Sequence, residues 1–123
     1  MMKERGRIEL LWRTEKYRVL WYSHRTYDEI RERLKGDPSY KEIEKLIIQA
    51  LKYEPKKNNI INSADHMWGY FKNEATSDEK KHYKKLKQEF KSGTRPASDL
   101  RDYLRELAQR YESEYLLESR ILQ

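Results

Sequence analysis

The chain has 123 residues, 37% hydrophobic and 39% charged, with a formal net charge of +6. That length suits one domain, and the lack of cysteine excludes disulfides, thiolate zinc sites, cysteine-held iron–sulfur clusters and a cysteine nucleophile. No apolar run approaches the ~20 residues of a membrane span, and the charged opening residues lack the apolar stretch of a secretory signal, so a soluble, cytoplasmic protein is expected.

Strand signals are nearly absent, with four glycines and no Asn-Gly or Asp-Gly hairpin turn. The first stretch carries Ile8, Leu10, Leu11 and Trp12, then Tyr17, Leu20, Trp21, His24, Tyr27, Ile30 and Leu34. The later positions fall at three- and four-residue steps. They predict one long amphipathic helix, or two joined near residues 13–15, closed by Gly36. Asp37 as N-cap and Pro38 at the first helical position predict a second helix, which buries Tyr40, Ile43, Leu46, Ile47, Ala50 and Leu51 and stops at Pro55.

A third helix is predicted over residues 57–73, with Ile60, Ile61, Ala64, Met67, Trp68 and Phe71 as its core face. Asn62, His66, Gly69 and Asn73 form a separate seam at steps of four, three and four. Glycine inside a helix costs ~1 kcal/mol relative to alanine, so Gly69 points to close approach by another backbone. Thr76-Ser77-Asp78-Glu79 reads as a capping box. The helix it opens buries Tyr83, Leu86 and Phe90 and closes at Gly93. A further helix from Ser98 buries Leu100, Tyr103, Leu104, Leu107, Ala108 and Tyr111; a short last one, capped by Ser113, carries Tyr115, Leu116, Ile121 and Leu122. The expected fold class is all-α: a compact bundle of five to six helices, in one domain over residues 1–123.

Catalytic signatures are missing. His24, His66 and His82 form no HExxH or other ligand pair, and no GxSxG, P-loop or glycine-rich dinucleotide turn occurs. The carboxylates alternate with Lys and Arg at helical spacing and read as ion pairs. No catalytic residue, metal or cofactor is assigned, and the chain is not expected to be an enzyme.

Charge placement carries more. From Lys56 to Arg95 there are ten Lys/Arg against five Asp/Glu, a local excess of +5; the rest of the chain carries 17 against 16. An excess concentrated in one segment suits a polyanion, with a solvated lysine face as the plainer reading. Lys80, Lys84, Lys87 and Lys91 recur at steps of four, three and four and so line one helix flank. RNA recognition combines such cations with aromatic and polar groups that reach bases and 2′-hydroxyls, which Asn62, His66 and Tyr70, beside Lys72, supply. Asn62 and His66 serve equally as an interhelical hydrogen-bond seam, and Trp68 and Phe71 read as core.

Around His66-Met67-Trp68-Gly69-Tyr70-Phe71-Lys72 the sequence resembles the YbgA-like family, a domain of unknown function. The family pattern has Asn, then His four residues on, then Gly-Tyr-Phe-Lys, matched here by Asn62, His66 and Gly69 to Lys72. It continues with a Glu-Lys pair (Glu79-Lys80), an aromatic-x-x-Gly (Phe90 and Gly93), a Pro (Pro96) and a Tyr-Leu-x-Glu (Tyr115 to Glu118). Lys16-Tyr17, and Ser23 with Tyr27, resemble its opening. Trp12, Glu15, Tyr22 and Glu106 stand where relatives often have histidine, and Leu100 where they have a second proline. The resemblance implies a domain often fused to a cysteine-ligated iron–sulfur desulfidase acting on thiouracil-type bases; in fused proteins that act on 4-thiouridine in tRNA, the YbgA-like part is taken to hold the tRNA. This chain is therefore expected to be a stand-alone helical RNA-binding module for tRNA, with Lys16, Lys72, Lys80, Lys84, Lys87, Lys91 and Arg95 on phosphates and Asn62, His66 and Tyr70 on a base or ribose, or holding the site's shape. The alternative is a non-catalytic interaction subunit that docks a separately encoded, desulfidase-type tRNA-modifying enzyme.

Overall fold

The computed structural model describes residues 3–123. Its elements are α1 (Glu4–Tyr22), α2 (His24–Leu34), α3 (Tyr40–Ala50), α4 (Lys57–Trp68), α5 (Ser77–Lys91), α6 (Ala97–Arg110), α7 (Glu114–Leu117) and a 3-10 turn (Arg120–Leu122). The described residues hold no strand and form an all-α fold, as expected, with seven α-helices joined by short turns and loops rather than five or six. Among them no helix is long and apolar enough to cross a membrane.

The first helix runs unbroken through residues 13–15 and ends at Ser23 instead. Ser23 adopts extended backbone; its N–H donates to the Val19 carbonyl at 2.7 Å, and its Oγ accepts from the Thr26 N–H at 3.1 Å. One residue thus closes α1 and caps α2, because a serine oxygen satisfies a backbone donor that a helix start leaves free. The apolar period continues through the break, yet His24 lies exposed and pairs with Asp28 at 3.4 Å. Helix α3 begins later than expected: Ser39, not Asp37, is its N-cap and accepts from the Glu42 N–H at 3.1 Å.

Helix α4 stops at Trp68, short of residue 73. Beyond it the bonds tighten to three-residue closures, Tyr70 N–H to the Met67 carbonyl at 3.1 Å and Phe71 N–H to the Trp68 carbonyl at 2.9 Å. Gly69 has a right-handed helical backbone, and a Cβ there would meet only the carbonyls of His66 and Asp65 in its own turn. No other backbone approaches it.

Helix α5 is specified at both ends. Thr76 Oγ1 accepts from the Glu79 N–H, and the Glu79 carboxylate accepts from the Thr76 N–H at 2.8 Å. At the far end Gly93 takes φ +83°, with Thr94 N–H bonded to the Glu89 carbonyl and Gly93 N–H to the Phe90 carbonyl. That paired closure needs a left-handed residue, the conformation glycine adopts without steric cost. Ser113 occupies the N-cap of α7, but its side chain makes no capping bond.

Two apolar clusters share α1. Ile8, Trp12 and Val19 pack with Ile30 of α2 and Ile43, Ile47 and Ala50 of α3. Tyr17 and Trp21 pack with the buried faces of α4, α5 and α6 and with Leu116, Ile121 and Leu122. Helix α1 buries side chains around most of its circumference, as a helix with neighbours on several sides must.

Candidate nucleic-acid interface

Helices α4 and α5 lie antiparallel. Lys57 Nζ at the start of α4 donates to the Lys91 carbonyl at the end of α5 at 3.2 Å. Asp65 and Trp68, further along α4, meet Tyr83 and Lys87 of α5. The Trp68 indole stacks on the Tyr83 ring, with centroids 4.5 Å apart and planes within 9°. Tyr83 is buried and Trp68 half-buried. Around them Lys72, Lys80, Lys84 and Lys87 complete the wall of a hollow of about 290 Å³.

The α5 pattern explains why the lysines gather there. Glu79, Tyr83, Leu86 and Phe90 are its buried residues. Lys80, Lys84, Lys87 and Lys91 lie beside that stripe on the flank towards α4, while His82 and Glu89 lie on the flank towards α6. Lys72 reaches the hollow because the chain turns after Trp68. Among the described residues Lys72, Lys80, Lys84 and Lys91 have no acidic partner, whereas Lys87 Nζ lies 3.0 Å from Asp65 Oδ1. The same oxygen accepts from the Tyr83 hydroxyl at 2.8 Å. Burial, and next the nearby Asp65 carboxylate, pushes the Tyr83 phenol well above its ordinary range, so it remains a neutral donor. Lys87 therefore braces the floor of the hollow, and its ammonium also sits 5.5 Å from the Tyr83 ring centroid.

Arg95 lies elsewhere. Its guanidinium bonds Asp99 at 2.9 Å and Glu89 at 3.0 Å, in a hollow between α5 and α6 that also holds Asp102 and Glu106. The hydrogen bonds to Asp99 and then Glu89 raise its pKa. Among acids and on the opposite flank of α5, it does not extend the lysine row.

Lys16, His66 and Tyr70 gather in a second cluster, on the α1 side of α4. His66 is two residues before Trp68, about 200° around the helix. The Tyr17 and Tyr70 hydroxyls are hydrogen-bonded at 2.8 Å, Tyr70 stacks on Tyr115 at 5.6 Å, and Lys16 Nζ and the Arg13 guanidinium lie 6.0 and 5.0 Å from the Tyr115 ring centroid. Burial, then the Tyr70 hydroxyl, pushes the Tyr17 phenol far up. Asn62 and His66 make no side-chain hydrogen bond among the described residues. The polar links across this seam come from Ser63, which is fully buried and donates to the Tyr17 carbonyl at 2.7 Å, and from the tyrosine pair.

A slightly larger hollow, of about 340 Å³, lies where α1 and α2 meet the start of α4, walled in part by Tyr22, Arg25, Tyr53 and Lys56. It contains Glu54 and the Asp28-paired His24 and has no stacked aromatic floor, so its chemistry is less suited to a polyanion. No three His, Asp or Glu side chains among the described residues cluster as a metal site would require.

The aromatic group that periodicity does not single out is Trp68. Its place on the core stripe conceals that it shares an edge with Ile61 and Asp65, at helical steps of four and three, where the stripe meets solvent. A tryptophan followed four residues on by a lysine, ahead of a lysine-rich helix, is the signal that could have found it.

No curated protein and no solved structure matches the chain. The model of a family described as "Protein of unknown function (DUF1722)" matches residues 16–123. The match takes in Lys16, both aromatic clusters and the whole lysine row, and the chain belongs to this YbgA-like family.

Proposed function

We propose that the chain is an RNA-binding module whose α4–α5 groove holds phosphates on Lys72, Lys80, Lys84 and Lys91, with transfer RNA as the class to which the family resemblance points. The observation that carries this reading is the row of lysines without acidic partners beside an aromatic floor. Phosphate binding needs cations at successive positions, and each neutralised phosphate releases counterions. Lys87 contributes by steadying the floor, and Arg95 falls outside the interface. Lys16, His66, Tyr70 and Asn62 lie on the other flank of α4, where a long or folded RNA can touch them at the same time. The deciding experiment is the salt dependence of binding to total tRNA. The logarithm of affinity is expected to fall linearly with the logarithm of salt concentration, at about 0.7–0.9 per phosphate contacted; affinity unchanged between low and moderate salt would refute the reading.

An alternative, docking of a separately encoded enzyme, has its own support. Leu10 is 49% exposed and lies with Leu11 and Tyr40 in a hollow at the far end of α1. This reading expects a stable protein complex and preparations free of nucleic acid.

A further inference from the structure

Resting on the RNA-binding reading, we infer that the α4–α5 groove takes an unpaired strand rather than a duplex, with one base laid against Trp68.

Three observations converge. First, the hollow has a preassembled aromatic floor: Trp68 lies flat on Tyr83, and Tyr83 is fixed by its hydrogen bond to Asp65. A base can use such a floor only when one of its own faces is open, which is true of loops, ends and single strands and untrue of bases inside a helix. Second, the space is small. Where Trp68 and Lys72 face Lys80, Tyr83, Lys84 and Lys87, the groove opens into a hollow of about 290 Å³. That admits a flat ring and its strand and does not admit the breadth of two paired strands. Third, the cations run in a line. Lys80, Lys84 and Lys91 share one flank of α5, which at about 1.5 Å per residue spreads them over about 16 Å along a single axis. One backbone can follow that line. A duplex presents two curving backbones and would leave the floor empty.

Tryptophan emission reports on this site. Trp12 and Trp21 are 8% and 5% exposed, so Trp68 is the tryptophan that a ligand in the groove reaches. The experiment titrates the full chain, at one low salt concentration, with a single-stranded RNA about ten nucleotides long, within the span of known single-strand sites, and with a blunt RNA duplex of the same length. The single strand is expected to bind about tenfold or more tighter and to quench the emission. Trp68→Phe is expected to keep most of the affinity and lose the quench. Trp68→Leu, with its fold verified by circular dichroism, is expected to lose about tenfold for the single strand and little for the duplex. If Trp68→Leu does not fold, the strand-against-duplex ratio and the Trp68→Phe quench still decide. Duplex binding as tight as the strand's, or a quench that survives in Trp68→Phe, overturns the inference while leaving salt-dependent RNA binding intact. Failure of both probes to bind while total tRNA still binds overturns the inference alone; failure of total tRNA as well overturns the RNA-binding reading with it.

Discussion

The Tyr83 hydroxyl donates to Asp65 Oδ1 at 2.8 Å, and Lys87 Nζ reaches the same oxygen at 3.0 Å. One carboxylate therefore holds the aromatic floor in place and occupies one cation of the row. Asp65→Asn separates the two effects. Its amide oxygen still accepts from Tyr83, so unfolding stability is expected to change by less than about 1 kcal/mol. Lys87 is released, so RNA binding is expected to tighten and its salt slope to rise by about one phosphate contact. Asp65→Ala also strands the Tyr83 hydroxyl and is expected to cost about 1–3 kcal/mol in urea unfolding.

Loss of positive charge on the two flanks of α5 is expected to give different results. Lys84→Glu combined with Lys91→Glu should weaken binding to every RNA sequence tested and flatten the salt dependence. Arg95→Ala removes two ion pairs on the α6 side and is expected to leave RNA affinity unchanged. Filter binding or gel shift on the two variants checks both statements.

Stability should carry an acid limb set by Glu79. Its carboxyl is held at about 2, first by the hydrogen bond from Tyr111, then by the Thr76 N–H, with Arg110 also contributing. A carboxyl with a depressed folded pKa binds its proton more readily when unfolded. Its stabilising contribution is thus complete above the ordinary value of 4.5 and is lost as pH falls from there towards 2. Tyr111→Phe removes the largest cause. Its deficit relative to the parent is expected to be constant near neutral pH and to shrink as pH falls through that window, as denaturant unfolding at successive pH values would show.

Ser63 joins α1 to α4 through its bond to the Tyr17 carbonyl. Ser63→Ala keeps the volume nearly constant and is expected to cost about 0.5–1.5 kcal/mol. Ser63→Leu must force bulk into a fully buried site and should cost more. Thermal denaturation of the pair ranks them.

Local chemistry makes α5 legible from its residues alone. Thr76 and Glu79 fall three residues apart as a capping box requires, Gly93 supplies the left-handed closure, and Tyr83, Leu86 and Phe90 are buried as their period predicts. Ser23 is obscured because the apolar period runs straight across it, so nothing in the periodicity marks where the axis changes. The partners of Lys87 and Arg95 are obscured for different reasons. Asp65 lies on another helix, 22 residues away. Glu89 and Asp99 come from two elements that only the turn at Gly93 brings together. Spacing can line up cations on a flank but cannot reveal which of them a neighbouring helix neutralises. Trp68 illustrates the same limit for aromatics: periodicity places it in the core, whereas it is half-buried, stacked on Tyr83, and lines the hollow.

Since α1 lends side chains to both apolar clusters, neither end of the molecule can melt and leave the other whole. Heat should release all the helices in one calorimetric event, its van't Hoff and calorimetric enthalpies agreeing. A cavity cut at Ile30, remote from the lysine row, would then lower the melting point of the groove as much as that of α2 itself.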